Sequence, residues 1–137
     1  MVNIVETTIR ANIFETLYDS LTASLSAGTV TAAFIDDNPT FPQVVINPTK
    51  LLIKKLTLNR GTKEYTCEVE IEIYAKKNKD IDEIADEIHA DLSTNEATIK
   101  AFGLYINDIE DSNSDTFFWN DQKIHTKTLL LTAQVNI

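Results

Sequence analysis

The stretch EYTCEVEIEIYAKKNKDIDEIADEIHADLS, residues 64–93, decides the fold because its apolar period changes partway along it. From Tyr65 to Ile73 every second residue is apolar, and most residues between them are glutamates. This alternation predicts a strand with one buried face and one acidic face. From Asp80, which we expect to cap it, the pattern predicts a helix. Its expected buried positions are Ile81, Ile84, Ala85, Ile88 and Leu92.

The flanking segments predict further helices and strands. On the N-terminal side, a helix is predicted over about 3–27, ending near Gly28; its apolar stripe is Ile9, Ile13, Leu17, Leu21 and Leu25. On the C-terminal side, Thr94 or Asn95 is expected to cap a short helix that ends at Gly103. Strands are predicted over 29–36, 43–47, 50–58, 104–110, 116–119 and 123–137, with a hairpin turn at 59–63 and a tight turn at 120–122.

The order helix, strands, helix, strands predicts an α+β fold. Two main helices are expected to pack on one face of a mostly antiparallel sheet. The length of the chain predicts a single domain over residues 1–137.

All three prolines of the chain surround one short apolar run, 44–46, within the stretch DDNPTFPQVVINP. Asp and Asn side chains bond to nearby backbone and proline fixes φ, so 36–42 is predicted to be a rigid turn. Proline has no N–H to donate, and Pro48 is therefore expected to close the strand.

The formal net charge of −9 argues against tight binding of DNA or RNA, which depends on lysine and arginine contacts to phosphate. An acidic chain can still lie beside DNA without binding it. No apolar run approaches the roughly 18 residues that span a bilayer, so we expect no membrane contact. The N-terminal residues do not have the pattern of a signal peptide.

No residue pattern predicts catalysis, a metal or a cofactor. His89 is expected at the solvent boundary, and His125 is expected on the face of its strand that Lys123 and Lys127 share. Cys67 is predicted to be a core residue, without a metal-ligand spacing around it. The acid-rich stretch 107–115 is interpreted as a solvated loop, because it has no EF-hand spacing. The aromatic stretch 117–119 is predicted to contribute to the core.

The order of elements resembles that of the tail terminator and tail-completion proteins of long-tailed bacteriophages and related viruses. The similar segments are FPQVVI at 41–46, VEIEIYAK at 69–76 and DIDEIADEIHADL at 80–92. They are strand and helix patterns without a catalytic signature, and together with the flanking elements they cover most of the chain.

The resemblance implies a structural virion protein, not an enzyme, located in the tail or neck and assembled in the host cytoplasm. Such proteins form a ring, usually a hexamer, that ends the tail tube and joins it to the head. The implied partners are further copies of the chain, the tail tube protein and the head–tail connector or neck proteins, and DNA passes through without specific binding.

Two groups of residues are the candidate sites under this hypothesis. An acidic row would face the lumen of the ring and repel DNA phosphate; its members are Glu64, Glu68, Glu70 and Glu72. A turn would contact the neighbouring subunit; its members are Asp36, Asp37, Asn38, Pro39, Phe41 and Pro42. The alternatives are a neck or head-completion connector, a non-viral binding or regulatory module acting through its first helix, and an enzyme with a site in the acidic loops.

Overall fold

The computed structural model describes residues 1–37, 39–55 and 63–135. A 3₁₀ turn at Glu6–Thr8 precedes the first α-helix. In chain order the elements are α1 (Ile9–Ser24), β1 (Thr29–Thr31), β2 (Gln43–Lys55), β3 (Lys63–Ala75), α2 (Asn78–Thr94), α3 (Glu96–Ala101), β4 (Leu104–Asp111), β5 (Asp115–Trp119) and β6 (Gln122–Val135).

The strands form one six-stranded sheet in the order β1-β2-β3-β6-β4, and β5 pairs with the first part of β6. The short pair β1–β2 is parallel, and the other pairs are antiparallel. Helix α1 packs against β1 and β2, and helix α2 packs against β3 and β6, so both long helices cover one face of the sheet. The outward residues of β3 lie on the opposite face. The predicted α+β class and the mostly antiparallel sheet are therefore confirmed.

The core lies between the helices and one face of the sheet, as the apolar periods predict. Along β3, Tyr65 and every second residue to Ala75 are buried. All five predicted positions of the second helix are buried. In α1, Ile13, Leu17 and Leu21 are fully buried, while Leu25 lies just past the helix and is partly buried against the core.

A buried polar cluster joins the two long helices. Asp91 of α2 is only 4% exposed. Its carboxylate accepts hydrogen bonds from the Ser20 hydroxyl at 2.7 Å, from the Ser24 hydroxyl, and from the Asn95 side-chain amide at 2.6 Å. Because a buried charge is tolerated only when it is well paired, these three donors explain how a carboxylate lies between the helices.

Some predicted boundaries were wrong near the prolines. Strand β2 does not close at Pro48 but continues to Lys55, with a register shift between Pro48 and Lys50. Pro48 has no N–H to donate to the ladder, and the register shift beside it accommodates this. Within the described residues, this part of β2 also pairs with a strand on one side alone, which is β3. The turn predicted at 59–63 lies almost entirely outside the described residues.

Other corrections concern the ends of elements. Strand β1 covers only Thr29–Thr31, because the following residues leave the sheet and cross the sheet face that lies opposite the helices. Helix α2 begins at Asn78, so Asp80 lies in the first turn, where its charge favours the helix dipole, and does not cap it. Asn95 is at the N-cap position of α3, but its side chain bonds to Asp91 and makes no capping bond.

Across the described residues, no helix combines the length and the apolar character needed to cross a bilayer.

Candidate functional surface

The sheet face opposite the helices, called here the open face, carries the four predicted glutamates. Glu64, Glu68, Glu70 and Glu72 alternate along β3 with the buried core residues, and each is partly exposed. The alternation of a strand therefore places all four side chains on one side of the sheet. The apolar side of the same strand is covered by the helices, so its acidic side faces outward.

The neighbouring strands divide this acidic row into two halves. Lys54 of β2 lies directly opposite Glu64, and Lys50 lies opposite Glu68. Opposite charges at directly paired positions attract, so this half of the row is compensated within the chain. Glu70 instead lies between Asn47 and Leu130 in the ladder, and Glu72 lies between Val45 and Thr128. The negative field of the open face is therefore concentrated at Glu70 and Glu72.

Strand β4 adds two acids to this face; both lie within the strand predicted at 104–110 and within the stretch 107–115 that was interpreted as a loop. Asp108 pairs with Thr132, and Glu110 pairs with Leu130, which itself pairs with Glu70. Glu110 is thus two strands from Glu70, about 10 Å away. Residues 107–111 belong to β4, and the loop between β4 and β5 is confined to 112–114. The strand predicted at 104–110 is therefore confirmed, and the loop interpretation was wrong for 107–111. A register shift between Ile106 and Asp108 breaks the alternation of this strand.

The predicted contact turn crosses one end of the open face. Asp36 and Asp37 are exposed, Pro39, Phe41 and Pro42 are partly buried, and Asn38 lies outside the described residues. The segment is fixed on both sides of the turn. The Gln43 side chain exchanges two 2.9 Å hydrogen bonds with the backbone of Ile35, and the Thr29 N–H donates to the Pro42 carbonyl at 3.1 Å.

An aromatic cluster holds this turn against the sheet. Phe34 contacts Tyr74 edge-on with ring centroids 4.9 Å apart, and Phe41 contacts Trp119 at 6.4 Å. Phe117 joins the cluster through Phe34 and Tyr74. Burial raises the pKa of the Tyr74 hydroxyl, which also donates a 2.5 Å hydrogen bond to Glu72. The prediction that 117–119 contributes to the core was wrong: Phe117 and Trp119 are partly buried in this aromatic cluster, outside the core, and Phe118 is 75% exposed.

The remaining candidate residues have structural surroundings. His89 lies at the solvent boundary, as predicted, with its Nε2 atom 2.7 Å from an Asp111 carboxylate oxygen. His125 pairs with Ala75 and lies on the helix-side face that Lys127 shares. Cys67 is fully buried, and burial raises the pKa of its thiol. Among the described residues no group of three or more His, Cys, Asp or Glu is arranged to hold a metal ion.

Comparison with known proteins identifies a weak structural neighbour. No family model matches the chain, and no curated protein matches its sequence. A chain described as "Virion of native gene transfer agent (GTA) particle" aligns with a TM-score of 0.45 and 8% identity, over 90% of this chain and 93% of that one. At that TM-score and identity, the correspondence assigns this chain neither a family nor a function.

Proposed function

We propose that the chain is a structural virion protein that forms a ring, hexameric in the simplest case, at the head-proximal end of a viral tail tube. The ring ends tube growth and offers a surface to which the head is joined. Its partners are further copies of itself, the tube protein and the connector or neck proteins. The chain acts by assembly, without catalysis and without a cofactor.

The observation that carries this proposal is the acidic open face on the side of the sheet that the helices leave uncovered. Glu70 and Glu72 have no lysine opposite them in the ladder, and Asp108 and Glu110 extend the charge onto β4. In a ring with the helices outside and the sheets inside, this face lines the channel. Repeated negative charge on a channel wall repels DNA phosphate, so a genome passes without adhering.

The turn at 36–42 suits a contact between subunits. The described residues that flank Asn38 are held before any partner binds, by the hydrogen bonds between the Gln43 side chain and the Ile35 backbone and by the contacts of Phe41 in the aromatic cluster. A loop that is already ordered loses less conformational entropy on binding than a free loop does. Asp36 and Asp37 are exposed there and would meet the neighbouring copy or the tube.

Removing the gene from the producing virus tests the proposed role. We expect tail tubes of variable and excessive length that carry no heads, because nothing ends their growth or joins them. Electron microscopy of negatively stained lysates measures the length distribution. Supplying the wild-type chain in trans is the control and should restore a single tube length and attached heads.

Two outcomes would separate this proposal from its alternatives. Tails of normal length beside unattached heads would assign the chain to the neck or to head completion. Normal, infectious particles without the gene product would exclude a structural role in the virion and favour a binding or regulatory module.

A further inference from the structure

The sheet has two outer edges that no strand covers along most of their length, within the described residues. On one side, β1 pairs only with residues 43–45, which leaves the outer edge of 46–55 in β2 without a partner strand. On the other side, β4 pairs with β6 alone. Unpaired strand edges present free N–H and C=O groups, which are a template for pairing with another chain.

The two edges carry opposite charge. Residues 46–55 contain Lys50, Lys54 and Lys55 and no acid, although the chain has a net charge of −9. Strand β4, Leu104–Asp111, contains three acids and no basic residue; they are Asp108, Glu110 and Asp111. Each edge therefore repels the same edge of another copy and attracts the opposite edge. The charges favour pairing of β2 with β4 between copies and oppose β2–β2 and β4–β4 pairing.

Exposed apolar side chains on the β2 edge also favour a protein partner. Leu52 and Ile53 of β2 are 56% and 51% exposed, one on each face of the strand. In the rows across the sheet, Leu52 lies level with Tyr105 of β4, and Ile53 lies level with Leu104. Pairing with β4 of another copy would therefore remove both exposed side chains from water.

The strand directions permit this pairing in a ring. Strands β2, β3, β6 and β4 are successively antiparallel, so β2 and β4 run in opposite directions. Rotation about a ring axis along the strands preserves these directions, and β4 of one copy meets β2 of the next in antiparallel orientation. Lys50, Glu68, Thr132 and Asp108 lie in one row across the sheet, which places Lys50 and Asp108 at the same level.

We propose that β2 of one copy pairs with β4 of the next, so that the sheets continue from subunit to subunit around the channel. This inference rests on the proposed ring and specifies its interface. The contact is head-to-tail, which closes into a ring when the rotation allows it. A protein partner fits this edge better than DNA, because Glu64 and Glu68 lie opposite Lys54 and Lys50 and would meet the phosphates.

Charge exchange between the edges tests the pairing. The first variant carries Lys50→Glu and Lys54→Glu, and the second carries Asp108→Lys and Glu110→Lys. Each alone is expected to raise the apparent dissociation constant for self-association by roughly a hundredfold, because both edges then carry the same sign of charge, most closely at positions 50 and 108. An equimolar mixture, or one chain with all four changes, should associate again. Light scattering at low salt measures the mass, and added salt should weaken wild-type association.

Matched controls change the same charge elsewhere. Lys79→Glu with Lys123→Glu controls for the first variant, and Glu15→Lys with Asp86→Lys controls for the second, since all four side chains are exposed and lie away from both edges. These controls should associate as the wild type does. Circular dichroism of each variant separates loss of association from loss of folding.

Hydrogen exchange identifies the edges directly. On association, backbone amides within 46–55 and 104–111 should become protected in the wild-type chain. Protection confined to other segments, or edge variants that associate as the wild type does, would overturn the inference while leaving the ring proposal standing. A wild-type chain that scatters as a monomer at every concentration and at low salt would also overturn it. Binding to duplex DNA that requires Lys50 and Lys54 would assign the β2 edge to nucleic acid instead.

Discussion

Replacing Asp91 with alanine is expected to lower the free energy of unfolding by about 2–4 kcal/mol, because three hydrogen bonds to a charged group are lost together. The Ser20 hydroxyl, which is 3% exposed, would be left buried without its acceptor. Urea denaturation followed by circular dichroism measures the change. A loss of this size is a large fraction of the 5–15 kcal/mol by which domains are typically stable.

Two other substitutions make the result specific to this cluster. Asp86→Ala removes an exposed carboxylate from the same helix and should change the unfolding free energy by no more than about 0.5 kcal/mol. Asp91→Asn keeps the shape and part of the acceptor capacity, so its cost should lie between the two. An Asp91→Ala variant as stable as Asp86→Ala would show that the buried carboxylate does not hold α1 and α2 together.

Replacing Glu70 and Glu72 with lysine is expected to give complete particles of low infectivity. The two substitutions change the charge of the proposed channel wall by four units per subunit, from two negative charges to two positive charges. In the proposed ring, basic side chains would hold DNA phosphate where glutamates would repel it, and we expect the ratio of infectious to total particles to fall roughly tenfold to a hundredfold. Electron microscopy counts the particles, and plaque or transduction assays count those that deliver DNA.

The effect should depend on charge and on position. Neutral replacements, Glu70→Gln with Glu72→Gln, are expected to reduce infectivity less than the lysine pair does. Glu15→Lys with Asp86→Lys makes the same change in charge on the helix layer and should leave infectivity unchanged, since that layer would lie outside the proposed channel. Equal loss of infectivity in both lysine pairs would contradict a channel-lining open face.

The periodic parts of the chain were predictable because local pattern and tertiary packing agree there. The alternation of β3 and the stripe of α2 each leave one apolar face, and both faces are buried. The burial of Asp91 was not predictable in this way, since a carboxylate in a helix is normally exposed. The only sequence signal for its burial is Ser20 and Ser24, two small hydroxyl residues one turn apart on α1.

The boundaries around the prolines and the face that the acids of β4 occupy were not predictable, because both depend on pairing between distant residues. Pro48 ends a strand by local rules, yet a register shift in the β2–β3 ladder carries the strand past it. Asp108 and Glu110 lie in the strand predicted at 104–110, but only the pairing with β6 places both on the open face. The pairing of Lys54 with Glu64 and of Lys50 with Glu68 likewise follows only from the register of the β2–β3 ladder.

Electron cryomicroscopy of assembled particles tests the central claim most directly. We expect a closed ring of this chain between tail tube and head, with α1 and α2 outside and the side chains of Glu70 and Glu72 facing the channel. A ring with these two glutamates on its outer surface, or particles that lack the chain altogether, would contradict it.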